Sequence, residues 1–155
     1  MLTCKISAYE EKGCRVAINS SPFAVLVQTP IMQRAQQLSE AACMTFVDST
    51  ASCDAENHSV TFMLTTCAAG AVPIAVIITK GQTDADYSAG FDLYKTGSAH
   101  GFGGAKHPQI FMTDDAEAEY LALQKAWPEA EKMLCLFHVQ QANWRWLWLS
   151  QNCIE

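Results

Sequence analysis

The sequence predicts a mixed α/β domain: a β-sheet of about five strands flanked by helices. Three observations carry that expectation. Half of the 155 residues are hydrophobic and only 17% are charged, enough apolar mass for one core and too much for a disordered chain. The most apolar runs, Phe23–Val27 and Ala71–Thr79, have strand length, and none is long enough to span a bilayer. Their order also matters. Strands first meet through a short link and are later separated by helical segments, which implies an antiparallel meander followed by βαβ units in one mixed sheet.

The elements follow in chain order. The first twenty residues are weakly patterned, and Gly13, Asn19, Ser20, Ser21 and Pro22 read as turn or tail. Phe23–Val27 has strand character. Thr29 is a candidate N-cap with Pro30 at the first helical position, and the helix is expected to reach Ala42. Cys43–Val47 is a strand delivering Asp48. His58–Thr66 is rich in β-formers, and Val72–Thr79 follows after the tight Ala68–Ala71 link, so these two should pair antiparallel. Thr83–Leu93 places Tyr87, Phe91 and Tyr94 at helical spacing. Gly97–Pro108 is glycine-rich and reads as a flexible loop. It includes Gly101-Phe-Gly103-Gly104, which lacks the Lys-Ser/Thr of a phosphate loop. Gln109–Met112 is a strand ending at Asp114, and Ala116–Trp127 is a helix with acids in its first turn, stopped by Pro128. Lys132–Phe137 is a strand, and the helix from His138 to Gln151 carries Trp144, Trp146 and Trp148. Trp144, Leu147 and Trp148 share one helical face, the pattern of a core stripe that promotes self-association if left uncovered.

Charge and cysteine usage narrow the function classes. Ten basic residues against 16 acidic ones give a net charge of -6, and no Lys/Arg cluster is present. That balance disfavours non-specific nucleic-acid binding, which needs basic side chains at phosphates. A carboxylate metal site would itself add to the negative count. The N-terminus lacks a basic region followed by an apolar core, so a secreted protein is not expected. Seven cysteines without a Cys-x-x-Cys pair fit a reducing compartment better than a disulfide framework.

Two constellations can carry chemistry. If the helix after the Val72–Thr79 strand crosses the sheet, the Gln109–Met112 strand lies parallel to and beside Cys43–Val47. Adjacent strands are about 4.8 Å apart, so Asp48 would come near Asp114. Two carboxylates on neighbouring strands suit a hard divalent cation and phosphoryl transfer. The plainer alternative is an Asp that forms a turn or caps a helix. The second constellation is Cys135-Leu-Phe-His138, whose spacing at a strand-to-helix junction lets both residues reach one Zn²⁺. His100, His107 and Cys153 have no diagnostic spacing as further ligands, and a half-buried thiol beside a packed histidine is the alternative. His58, on a predicted strand, reads as structural, and Asp114–Glu119 as helix N-terminal charge apart from Asp114.

An ordered set of segments resembles a known family. Phe46-Val-Asp48-Ser-Thr50, Gly70-x-x-Pro73-Ile-Ala, Met112-Thr-Asp114, Trp127-Pro128-x-Ala130, Leu134-Cys135-Leu-Phe-His138-Val and Ala142-x-x-Arg145-Trp146-Leu together look like the catalytic core of Mutator-like element (MULE) transposases. Gln28-Thr29-Pro30-x-Met32-Gln33 is similar to the family's lead-in. The resemblance covers roughly residues 22–149.

The resemblance implies a ribonuclease H-like fold and DNA strand cleavage and transfer by an Asp-Asp-Glu triad with Mg²⁺ or Mn²⁺. By the match, Asp48 is the first acid and Asp114 the second, with Asp115 a near miss. Cys135 and His138 match the family's Cys-x-x-His motif and are candidate Zn²⁺ ligands. The family's Glu comes much later, after a helical insertion, and Glu155 is too early to be that residue. The expected organisation is a tail or partial preceding element over residues 1–21 and a truncated, C-terminally incomplete transposase-like domain over 22–151. Without the third oxygen donor, strand transfer should be impaired or absent, since the missing ligand fixes metal geometry and charge. The resemblance further implies DNA as partner and a nuclear or intracellular location, with no membrane role. The alternative expectations are a non-catalytic binding module that keeps the fold, with self-association through the Trp-bearing helix, and a small zinc-binding domain built on Cys135 and His138.

Overall fold

Backbone pairing draws both halves of the chain into one sheet. The computed structural model describes residues 2–114 and 116–149, so Asp115, Cys153 and Glu155 lie outside the described residues. Helix α1 (Leu2–Glu10) precedes a hairpin of β1 (Arg15–Ser20) and β2 (Phe23–Gln28). Two short helices, α2 (Pro30–Ala35) and α3 (Ser39–Cys43), lead into the meander β3 (Met44–Thr50), β4 (Ser59–Cys67) and β5 (Gly70–Thr79). Then come α4 (Asp84–Gly97), β6 (Ile110–Thr113), α5 (Glu117–Ala126), β7 (Glu131–Leu134) and α6 (Leu136–Leu147). The sheet order is β1-β2-β5-β4-β3-β6-β7. Neighbours are antiparallel as far as β3, whereas β3–β6 and β6–β7 are parallel.

The mixed α/β class, the antiparallel β4–β5 pair and the parallel placement of β6 beside β3 are as the sequence leads one to expect. The strand count is not. Among the described residues seven strands form the sheet rather than about five. β2 is the apolar run at Phe23 that has strand character in the sequence, and the unexpected strand is β1, inside the segment that reads as turn or tail. Its signal is hidden because the apolar side chains do not all face inward. Ala17 packs against the core, while Ile18 is exposed on the other face. Arg15 holds this edge strand to the far end of α4, donating to Gln28 Oε1 at 3.1 Å, Gly97 O at 2.5 Å and Ser98 Oγ at 2.8 Å.

The single helix expected over residues 29–42 is broken into α2 and α3. Thr29 caps α2 through the Met32 N–H as expected, with Pro30 in its first turn. Gln36 then ends the helix. It is buried, its Oε1 accepts from Gln28 Nε2 at 2.9 Å, and its carbonyl accepts from the Gly103 N–H at 2.8 Å. A buried amide must be satisfied, and these tertiary partners outweigh continued helix. The same bond corrects the reading of Gly97–Pro108 as a flexible loop. Phe102 is fully buried, Tyr94 Oη donates to Gly101 O at 2.9 Å, and Gly103 has φ +59° with Leu38 O only 2.6 Å from where a Cβ would stand. A glycine is required there.

The core lies between the sheet and helices α4 and α5. Val47, Met63, Ile77 and Phe111 from the strands meet Phe91, Tyr94, Leu123 and Trp127. Trp127 is the hub, with ring centroids 5.1 Å from Phe111, 5.6 Å from Phe102 and 5.7 Å from Phe91. Its conspicuous place before Pro128 therefore has a packing explanation. Helix α4 approaches the sheet closely at Gly90, where a Cβ would stand 2.5 Å from Ile77 Cγ2.

The C-terminal segment departs from expectation in two ways. The strand ends at Leu134, so Cys135 is the N-cap of α6 and His138 lies in its first turn. The Trp face of α6 is not a core stripe. Among the described residues of α6 none is buried, and Trp144 and Trp148 are 63% and 72% exposed, their rings 5.6 Å apart.

Candidate functional site

Strand alternation and parallel register together position the acids. On β3, Thr45 and Val47 are buried while Phe46 is half-buried and Asp48 exposed. On β6, Phe111 and Thr113 are buried and Met112 is half-buried. The β3–β6 ladder pairs Phe46 with Met112. Two residues further along each chain stand Asp48 and Asp114, and a step of two returns to the same face of a sheet. Asp48 thus lies near the C-terminal end of β3 on the face away from the core, and Asp114 directly follows the neighbouring parallel strand β6.

Their immediate surroundings differ. Asp48 projects into a groove of about 380 Å³ lined by Phe46, Leu64, Met112, Cys135 and His138 among others. His138 Nε2 lies 4.0 Å from Asp48 Oδ1, beyond hydrogen-bond length. His138 Nδ1 is buried without a hydrogen-bond partner among the described residues. Asp114 is half-buried, and its Oδ1 accepts from the Ala116 N–H at 3.1 Å, a turn that leads into α5. Asp114 does not cap α5, whose N-cap is Ala116 without a side-chain bond, but the contact with the Ala116 N–H engages one of its two carboxylate oxygens.

The Cys-x-x-His pair joins this site instead of forming its own. Cys135 and His138 line the same groove as Asp48. The Cys135 N–H donates to Thr113 O at 2.7 Å, which fixes the start of α6 against the end of β6. Histidines elsewhere are engaged locally: His100 Nδ1 with Gly104 O at 3.2 Å, His107 Nδ1 with Pro108 O at 2.9 Å, and His58 Nδ1 with Asp54 Oδ2 at 2.7 Å. Among the described residues no group of three or more His, Cys, Asp and Glu is placed to hold a metal ion. A closed zinc site needs four ligands, and the described residues do not fit one. A Mg²⁺ or Mn²⁺ ion makes a smaller demand, since it is commonly held by one or two carboxylates plus water and substrate oxygens. Asp48 and Asp114 fit that donor set.

One carboxylate escaped the sequence reading. Glu119 belongs to the acidic run taken as helix N-terminal charge, yet it is fully buried. Its Oε2 accepts from Ser49 Oγ at 2.7 Å, and its Oε1 accepts a short bond from Thr113 Oγ1. Burial pushes this carboxyl above its ordinary range. The Thr113 and Ser49 hydroxyls pull it back, while the charges of Asp114 and Asp48 push it further up. Beside it, burial raises the Tyr87 hydroxyl to about 12. The sequence does carry a signal, because Glu119 is in phase with Ala122, Leu123 and Ala126, the buried stripe of α5. A charged residue inside an apolar helical stripe marks a buried polar role.

Fold and site define an α/β sheet domain with one acid on β3, another directly after the parallel strand β6, and a Cys-x-x-His helix start beside the first. A family model described as the MULE transposase domain matches residues 44–142, more than half of the chain, from the start of β3 into α6. The chain belongs to the MULE transposase domain family. No curated protein matches it.

Proposed function

We propose that this domain is a transposase-derived catalytic core that acts on DNA, with Asp48 and Asp114 as ligands of Mg²⁺ or Mn²⁺. The observation that supports the reading is the parallel β3–β6 register, whose last pair, Phe46 and Met112, stands two residues before Asp48 and Asp114. The order β5-β4-β3-β6-β7, antiparallel across β5-β4-β3 and parallel beyond, supports a ribonuclease H-like core to which β1 and β2 add an edge. A divalent ion held there supplies a polarised phosphoryl oxygen and an activated hydroxyl nucleophile. The chain's own part is to present two hard oxygen donors on an open face and to keep His138 beside Asp48. Among the described residues no third His, Cys, Asp or Glu is placed with the pair to hold a metal ion. An intracellular, nuclear setting goes with a DNA substrate. Among the described residues no helix is long and apolar enough to cross a membrane.

Calorimetric titration with Mn²⁺ tests the metal site. The wild type should bind, and Asp48→Ala should weaken binding more than about tenfold, roughly 1.4 kcal/mol. Identical curves would remove the site. Nicking of supercoiled plasmid with Mn²⁺ reports any residual chemistry.

A second reading rests on α6, whose Leu136, Phe137, Trp144 and Trp148 are all exposed. An apolar helix face of this kind suits a non-catalytic interaction module, with self-association as its simplest form. Robust plasmid nicking that is lost in Asp48→Ala would eliminate it.

A further inference from the structure

The β3–β6 ladder stops at Phe46 and Met112, short of both acids. Beyond that point each strand is held on its outer side. Thr50 pairs with Val60 of β4, and Thr113 pairs with Leu134 of β7. Between the two strand ends, on the core side, stands the Glu119 carboxyl. One oxygen takes the Ser49 hydroxyl at 2.7 Å, and the other takes the Thr113 hydroxyl. Ser49 directly follows Asp48, and Thr113 directly precedes Asp114. The bridge also has lateral support, as Ser49 Oγ and Thr61 Oγ1 on β4 lie 2.9 Å apart.

We propose that Glu119 is a positioning residue, clamping the ends of β3 and β6 from behind and so setting the separation of Asp48 and Asp114. A carboxyl suits the task, since its two oxygens diverge toward two strands and α5 fixes it in place. Glu119 touches neither substrate nor metal and acts through the backbone of its neighbours. Replacing Ser49 and Thr113 together should have the same effect as removing Glu119.

The inference rests on the metal-site reading above, and the test separates the two. The variants are Glu119→Ala, Glu119→Gln and the Ser49→Ala/Thr113→Val double substitution. Gln retains one acceptor and places an amide donor against the second hydroxyl. Backbone nuclear Overhauser contacts between Asp48–Ser49 and Thr113–Asp114 read the clamp without metal, and Mn²⁺ titration reads its consequence. We expect Glu119→Ala and the double variant to lose those contacts and to bind Mn²⁺ about tenfold more weakly, the scale on which outer-shell changes act. Glu119→Gln should restore both. If Glu119→Ala fails to fold, the double variant carries the comparison. Unchanged contacts and affinity in a folded Glu119→Ala or double variant would overturn the clamp. Loss of contacts together with a wild type that binds no Mn²⁺ would support the clamp and overturn the metal reading instead.

Discussion

Replacing Glu119 by Gln isolates one proton and makes its free energy measurable. The folded state pushes this carboxyl above its ordinary value of 4.5, with burial as the largest cause. A raised value means that the folded protein keeps a proton which the unfolded chain has already released. The stabilisation is therefore fully present below about pH 4.5 and is lost as pH rises through the folded-state value. Within that window one proton differs between the states, and the slope reaches at most about 1.4 kcal/mol per pH unit. With urea m-values of about 1–3 kcal/mol/M for a chain of this size, that limiting slope corresponds to a fall in midpoint of roughly 0.5–1.4 M per unit. Gln keeps the volume and one acceptor but does not ionise. Urea midpoints of wild type and Glu119→Gln from pH 4.5 to 8 should therefore show a wild-type advantage that shrinks with pH. Groups common to both proteins, including Asp54, which His58 holds low, cancel in the difference. A difference independent of pH, or one growing with it, would refute the upward shift of this carboxyl in the folded state.

Two further outcomes follow from packing. Gly90→Ala drives a methyl into Ile77 Cγ2, and Ile77 is itself buried and branched, so the core has little room to yield. The cost should be about 1–3 kcal/mol by chemical denaturation, in line with other overpacked cores; an unchanged midpoint would mean that α4 sits further from the sheet. On α6, the double substitution Trp144→Ser/Trp148→Ser should cost no more than about 1 kcal/mol, the value of one aromatic pair. It should also lower self-association in sedimentation velocity. A loss of about 3–5 kcal/mol, the range for removing a buried aromatic such as Trp127, would show that this face is covered.

How much the sequence discloses depends on whether a local pattern and the tertiary environment agree. β4 and β5 agree: the β-formers are dense and the link is short, so pairing and direction are both legible. The place of β6 beside β3 is legible for the same reason, since an antiparallel meander followed by a crossover leaves the next strand the open edge of β3. β1 is illegible because Arg15 and Ala17, not a row of large apolar residues, face the helices. The break between α2 and α3 is illegible because it is made by Gln28 and Gly103, one before the helix and one far beyond it. Glu119 sits between these cases. Its phase with Ala122, Leu123 and Ala126 is visible in the sequence, but the partners that make its burial tolerable, Ser49 and Thr113, come from two other strands.

The alternation of side chains along β3 and β6 separates two tasks that share a backbone. Thr45, Val47 and Phe111 point into the core, and their packing holds the sheet to α4 and α5. Phe46, Asp48 and Met112 line the groove. Asp48, with a side chain 59% exposed and no close ion pair, contributes little to folding. Changing it should alter metal binding while leaving the denaturation midpoint nearly still. Glu119 couples the two faces. It belongs to the core by burial and to the site by the two hydroxyls it holds, so a change there should move stability and metal affinity together. A domain of this design could lose its chemistry by substitutions on the groove side without loss of the fold. The converse does not hold, because any change that loosens Glu119 reaches the acids through Ser49 and Thr113.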